Sequence, residues 1–422
     1  MDAAVPQPGA ADMAQAPQPQ PADMAQAPQL VDMAQAPPPK PDGGVPMGGG
    51  GGGGGYVPPG TMDEPMAHAA PTTIAVTALP GPSNIYDVGI DRGGGIWAVT
   101  PAEVDYWPAG LGGPRYTFNQ GNGLARGNAN NHFASVAGGV GGEAIVGNVG
   151  AIADHIVVDP GSGKLLRVDN MVVPPSMDWE YPEHLKRVVS GIRVAVDYSG
   201  TFNGSGYIGG QHGFTVWHGV DGNCGCTQFQ EHQHFIPPNG NQCDSTNPPA
   251  GCWGGDVKGL AFSPQGDVWA GDEHFVALLP QRSLGAYTDF FQSFTVGVDV
   301  FPGVNDEVQS LATDAAGGVW VASFGQGLAY LHPMTLTPTY YDRARELPMN
   351  RVTAVAVDTD ESVWVGTFDG GIARLKSGAW TYYTQASGLP SDSITQIIID
   401  RAANPRRVVI GTGGGVAVYT GK

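Results

Sequence analysis

The sequence predicts an all-β fold, a ring of seven four-stranded sheets preceded by an unstructured arm. Three observations predict it. Apolar residues come in short runs broken by Gly, Asp, Asn and Pro, as strands and turns require. A fixed grouping of such runs, usually with an aromatic residue at its centre, recurs along the chain. The last copy lacks its final strand, and a matching strand stands alone before the first copy.

Composition sets the bounds. Of 422 residues, 65 are Gly and 36 Pro, and only 14% are charged. So little charge disfavours a long helical bundle, while a hydrophobic fraction of 41% is enough for a sizeable core. The formal net charge is −19, from 20 Lys and Arg against 39 Asp and Glu. A polyanion is a poor partner for that surface, so nucleic acid is not expected. Cations or neutral ligands suit it better. No stretch has the apolar length of a transmembrane helix.

The arm comes first. The hexapeptide Asp-Met-Ala-Gln-Ala-Pro occupies residues 12–17, 23–28 and 32–37, and an unbroken Gly run spans Gly48 to Gly55. No apolar periodicity offsets the entropy of ordering such a backbone, so residues 1–71 are expected to be a disordered tether, Pro-stiffened and then Gly-flexible. It is similar to the spacer that follows the lipidated cysteine of bacterial lipoproteins, although that cysteine is missing. Met1 is followed by Asp, with neither the basic nor the apolar region of a signal peptide.

The ring follows, over residues 72–422. Its clearest unit is DTDESVWVGTFDGGIARL, Asp358 to Leu375, centred on Trp364. Thr313–Leu331 repeats it around Trp320, Phe262–Leu279 around Trp269, Ile90–Val99 around Trp97, and Ile399–Tyr419 around Val409. Weaker copies surround Ile145 and Tyr207, which makes seven units. In the Trp364 unit, strand a is Val352–Val357, b is Val363–Gly366, c is Ile372–Leu375 and d is Trp380–Thr384. Strand a is apolar on both faces, as an inner strand between neighbouring sheets should be. Asp358 and Asp360 form the a–b turn, and Asp369-Gly370-Gly371 a tight b–c turn that needs positive φ. The aromatic residue wedges between adjacent sheets. Four-stranded sheets repeated around an axis make a β-propeller.

The seventh unit ends after strand c. Thr72–Ile85, TTIAVTALPGPSNI, resembles Thr381–Ile394, TYYTQASGLPSDSI, which is strand d and the loop into the next strand a. Thr73–Thr77 is therefore expected to supply the missing outer strand and join the two ends of the ring.

The pattern GLPSDSI…D…VWVGTFDGGIARL, carried most clearly by residues 387–394 and 345–375, resembles the two-component regulator propeller repeat, strongly in the last third of the chain and weakly around blades two and three. That family's propellers are often extracytoplasmic sensor halves joined to a transmembrane helix and a histidine kinase. The resemblance implies a sensor-like or scaffold propeller in the periplasm or at the cell surface. It would be lipid-anchored if a signal segment stands upstream, and cytoplasmic if Met1 is the true start.

Between blades three and four, an insert at about 218–255 holds all four cysteines, Cys224, Cys226, Cys243 and Cys252. An even number in a Pro- and Asn-rich loop points to two disulfides, since pairing Cys224 with Cys226 would be strained. The pairs are 224–243 with 226–252, or 224–252 with 226–243. The competing reading is a metal site shared with His218, His232 and His234, although the spacing fits no standard zinc module.

In a propeller the b–c and d–a loops gather at one end of the axis, where ligands commonly sit. Aligned repeats put His212 and His274 at equivalent b–c positions, with Gln211, Asp272, Glu273 and Asp369 beside or equivalent to them. The d–a loops add His184, Trp253, Asp256, Asp306 and Glu307. An aromatic residue among carboxylates and imidazoles can bind a sugar or a cation, or perform acid–base chemistry. Exposed turns collect the same residue types without any ligand. Phe324 and Phe368 are read as rim packing. The expected function is a non-catalytic, monomeric, exported propeller that binds a carbohydrate, small molecule or protein and needs no cofactor. The alternative is a metal-assisted lyase or hydrolase acting on a saccharide or lactone, with His212, Glu273 and His274 holding a divalent metal or acting as acid and base.

Overall fold

Each repeat opens with its most apolar strand, and that strand becomes the innermost. The computed structural model describes residues 72–108, 111–125, 132–149, 151–171, 193–197, 204–210, 213–217, 231–234, 257–272, 275–279, 292–295, 299–302, 307–344 and 346–421. Among them lie seven four-stranded antiparallel sheets. Strand a of successive blades is Asp87–Ile90, Phe133–Gly138, Arg193–Asp197, Gly259–Phe262, Val308–Thr313, Val352–Val357 and Ile394–Asp400. Each packs against strand a of the next blade, and the seventh packs against the first. This is the seven-bladed propeller that the repeats predict. Residues 1–71, expected to form a tether, and the four cysteines lie outside the described residues.

Blade six shows how closely the pattern was obeyed. Its strands are Val352–Val357, Val363–Thr367, Ile372–Lys376 and Ala379–Tyr383, within a residue of expectation at every end. The b–c turn closes through Gly371 at φ 77°, where a Cβ would lie 2.2 Å from the Tyr383 carbonyl oxygen. Only glycine fits there.

The seven central residues, Trp97, Ile145, Tyr207, Trp269, Trp320, Trp364 and Val409, are all buried in strand b. Each faces a residue of strand a in the same register: Gly89, Ala137, Ala195, Ala261, Ala312, Ala356 and Ile398. Six of these partners are Gly or Ala. The large side chain needs a small neighbour so that it can reach the adjoining sheet at interior density. In blade seven the sizes invert, with Ile398 opposite Val409. Burying one indole removes about 150–250 Å² from water, on the order of 4–6 kcal/mol.

Closure occurs where the sequence placed it, a few residues later. Val76–Ala78 pairs with Gly415–Tyr419 and forms the outer strand of the seventh sheet. Residues before it lean the other way: Thr72 N–H donates to the Tyr382 carbonyl at 2.9 Å and Ile74 N–H to that of Ser387 at 3.0 Å. Ile74 is buried with Trp364, Tyr383 and Leu389. One short segment thus binds blades six and seven together, which is why regular pairing starts at Val76 rather than Thr73.

The a–b turns end in carboxylates that tie neighbouring blades. Asp91 accepts Gly95 N–H at 2.8 Å, the Trp97 indole N–H at 3.1 Å and, from blade two, Gly142 N–H at 3.0 Å. Asp358 accepts the Trp364 indole at 3.1 Å and pairs with Arg406 of blade seven at 2.8 Å. Asp400 holds Arg407, whose guanidinium also donates to the Gly94 carbonyl of blade one at 2.7 Å. Asp360, beside Asp358, feels burial pushing its carboxyl upward. Hydrogen bonds from Lys376 and Ser362 and the nearby Arg374 charge outweigh this and hold it below the ordinary carboxylate range.

Candidate functional site

At the other end of the ring, the polypeptide enters strand a of each blade through a d–a loop. Several of those entries carry charge: Asp87, Arg193, Lys258, Glu307 and Arg351 each stand at or just before the first residue of a strand a. Ring closure brings these widely spaced residues around one mouth of the axis.

Blade-to-blade contacts join them. Asp87, buried, accepts Val136 N–H at 3.1 Å, the Ser135 hydroxyl, and Arg193 Nη1 at 3.2 Å. Ser135 Oγ in turn accepts Val194 N–H at 3.1 Å. Arg193 Nε donates to the Lys258 carbonyl at 2.7 Å, and Lys258 Nζ reaches Glu307 Oε2 at 2.5 Å. The Gln309 side-chain amide donates to the same oxygen at 2.8 Å. A register shift between Val308 and Ser310 marks a bulge there, a device that re-aims a side chain at a strand end. Equivalent shifts occur in blades two, six and seven.

Arg351 differs from the other cations. Its guanidinium lies 4.6 Å from the Phe368 ring centre and 5.9 Å from that of Phe324. The two rings meet edge to face at 5.8 Å. Backbone bonds fix both turns to the preceding strand entries, Phe324 N–H on the Glu307 carbonyl at 3.1 Å and Phe368 N–H on that of Arg351 at 3.0 Å. Below the mouth, an axial cavity of about 530 Å³ is lined by all seven inner strands. Val, Leu and Ile are the commonest residues of its walls, with Asp87, Arg193 and Lys258 toward this mouth and Arg92 and Arg401 toward the opposite one.

Among the residues singled out from sequence, Glu307 sits in this charged ring. Asp369 is exposed on the b–c turn beside Phe368, its N–H directed to Met349 Sδ at 3.3 Å. Asp272 is buried, and its carboxylate accepts Phe275 N–H at 2.8 Å within its own b–c turn. Thr367 and Thr412 close the equivalent turns of blades six and seven with their hydroxyls. Gln211, His212, Glu273, His274, His184, Trp253, Asp256 and Asp306 lie outside the described residues, as do the disulfide candidates. Phe324 and Phe368, read as rim packing, turn out to clamp an arginine. Sequence reasoning missed Asp87, Arg193, Lys258 and Arg351. The available signal was a charged residue leading five of the seven a runs, as in Arg193-Val194 and Arg351-Val352.

Comparison with known proteins supports the fold and stops there. No family model matches the chain, and no curated protein does. Solved structures do. One is the extracellular domain of a protein described as a hybrid two component system from B. thetaiotaomicron, at 15% identity and TM-score 0.54, covering 82% of this chain. This chain spans only 42% of that structure. YCF48 bound to D1 peptide matches at 15% identity and TM-score 0.51, covering 85% of this chain and 100% of that one. A chain of the mitotic checkpoint complex matches at 12% identity and TM-score 0.55, covering 86% and 98%.

Proposed function

We propose that this chain is a non-catalytic, exported propeller that binds a ligand or protein partner through its loop-rich end. The observation that carries the reading is the contrast between the two ends of the ring. At the a–b end, Asp91, Asp358 and Asp400 are committed to bonds that hold blades together. At the loop-rich end, charged residues from five blades surround an open mouth, with Phe368 exposed beside them. The named neighbours agree in kind: one is an extracellular domain, one holds a peptide, and one belongs to a multiprotein complex. Export fits the clustered cysteines.

The test is site-specific photocrosslinking in cells that express the chain. Phe368 is replaced by photoreactive benzoylphenylalanine in one strain and Arg92, at the opposite end, in another. A discrete adduct from position 368 and none from position 92 is the expected result. Adducts from position 92 alone would overturn the reading. Export is checked separately by alkylating denatured, unreduced protein: no free thiol is expected, and four would contradict it.

A further inference from the structure

We infer that Arg351, clamped by Phe324 and Phe368, is the anchor of this binding face, and that its occupant is an Asp or Glu side chain within an apolar stretch of a protein partner. The inference rests on the loop-face reading above and names the partner's chemistry.

Charge pairing around the mouth leads to it. Three cations and two carboxylates stand at the strand entries. Arg193 pairs with Asp87 and Lys258 with Glu307. Arg351 is left over: among the described residues no carboxylate or carbonyl accepts from it. Its Nε is enclosed without an acceptor among the described residues, while the side chain as a whole is only half-buried. Asp369, next to Phe368, forms no ion pair with it among the described residues. An unused guanidinium is conspicuous in a chain of net charge −19.

The Phe368 ring packs against the guanidinium at 4.6 Å, and a guanidinium offers the planar fork in which two parallel N–H donors meet one carboxylate. Arginine beside exposed aromatic surface is the composition of an interface hot spot, where apolar contact excludes water from the charged bond. Phe368 is 38% exposed and supplies that surface. A single open cation among the described residues of this mouth does not suit a polyanion, so the carboxylate is expected alone among apolar neighbours.

The probe is a random dodecapeptide library displayed on phage and selected against the wild-type chain, followed by affinity measurement of individual synthetic, C-terminally amidated peptides. Selected peptides are expected to share an Asp or Glu beside aromatic or aliphatic residues. Arg351→Ala and Phe368→Ala should each weaken them at least ten-fold, and Arg351→Lys, which keeps charge but loses the fork, nearly as much. Arg92→Ala should change affinity less than two-fold. Changing the peptide acid to its amide should cost as much as Arg351→Ala, with no further loss when both are combined. Thermal melts establish that each variant folds, and Phe368→Ala and Arg351→Lys carry the test if Arg351→Ala does not. Peptides without a shared acid, or binding indifferent to Arg351, overturn the inference. If such binding is instead lost in Glu307→Gln or Asp369→Asn, the loop-face reading survives without it. Loss in Arg92→Ala alone, or a library with no binders, removes both.

Discussion

Replacing Asp91 by alanine tests whether the a–b carboxylates hold the blades together. The side chain is 3% exposed and accepts hydrogen bonds from Gly95, Trp97 and Gly142, with a further one from Tyr106. Truncation leaves these donors facing a hole, and an unsatisfied buried donor costs about 1–3 kcal/mol. Part of that is recovered, because burial already disfavours the Asp91 carboxylate and pushes its pKa up, against the pull of the Gly142 and Gly95 bonds. The net loss expected is about 3–5 kcal/mol. With unfolding entropy near 2.1 cal/mol/K per residue over about 350 residues, the midpoint should fall by about 4–7 °C. Asp91→Asn keeps the shape but turns an amide N–H toward converging donors, so it should fall between wild type and alanine. Calorimetry, with a second scan to check reversibility, reads both. A shift below about 1 °C for Asp91→Ala, or an asparagine variant equal to wild type, would refute the claim that this carboxylate joins blades one and two.

Two other perturbations follow from the same contacts. Burial raises the carboxyls of Asp105 and Asp154 to about 6. Between pH 4 and 6 the folded chain therefore holds protons that the unfolded chain releases, so these groups lower stability as pH rises and do so fully above pH 6. Among the described residues Asp105 Oδ2 accepts no hydrogen bond, with only the Arg115 guanidinium facing it at 3.5 Å. Asp105→Asn should therefore raise stability at pH 7.5 by about 1–3 kcal/mol and change little at pH 4; equal effects at both values would contradict the assignment. Arg407→Gln removes the partner of buried Asp400 and the bond to the Gly94 carbonyl, for an expected loss of about 3–5 kcal/mol in urea denaturation. An unchanged midpoint would show that this contact does not secure the seventh blade to the first.

The ring was legible because its information is local and repeated. A strand a, a turn, a large residue and a glycine turn fall within some twenty residues, and the large-opposite-small pairing of Trp364 with Ala356 can be read in one segment. The weaker copies are weak for a physical reason. In blade two Ile145 replaces the indole, and the sheet also buries His155 between Glu143 at 2.5 Å and Asp169 at 3.0 Å, against Trp217 of blade three. The charged mouth was less legible. Asp87 meets Arg193 across 106 residues, and nothing near either announces the other. Asp272 shows the converse: a polar residue in a turn reads as exposed, whereas this one is buried and its carboxylate accepts Phe275 N–H. Arg351 and Phe368 each look unremarkable alone, and only adjacent turns place one over the other.

The outer strand at Val76–Ala78 also bears on how such a molecule is made. Its hydrogen-bonding partner, Gly415–Tyr419, is the last strand of the ring to be synthesised, so the earliest β segment of the ring waits for nearly all the rest of the ring before it can pair. Until then the nascent chain carries an unsatisfied edge at both margins of a growing arc, a template for pairing with another chain. Completion of the circle is a contact of maximal sequence separation and belongs late in folding. Any delay in producing Gly415–Tyr419 lengthens the interval in which two neighbouring molecules could exchange these strands.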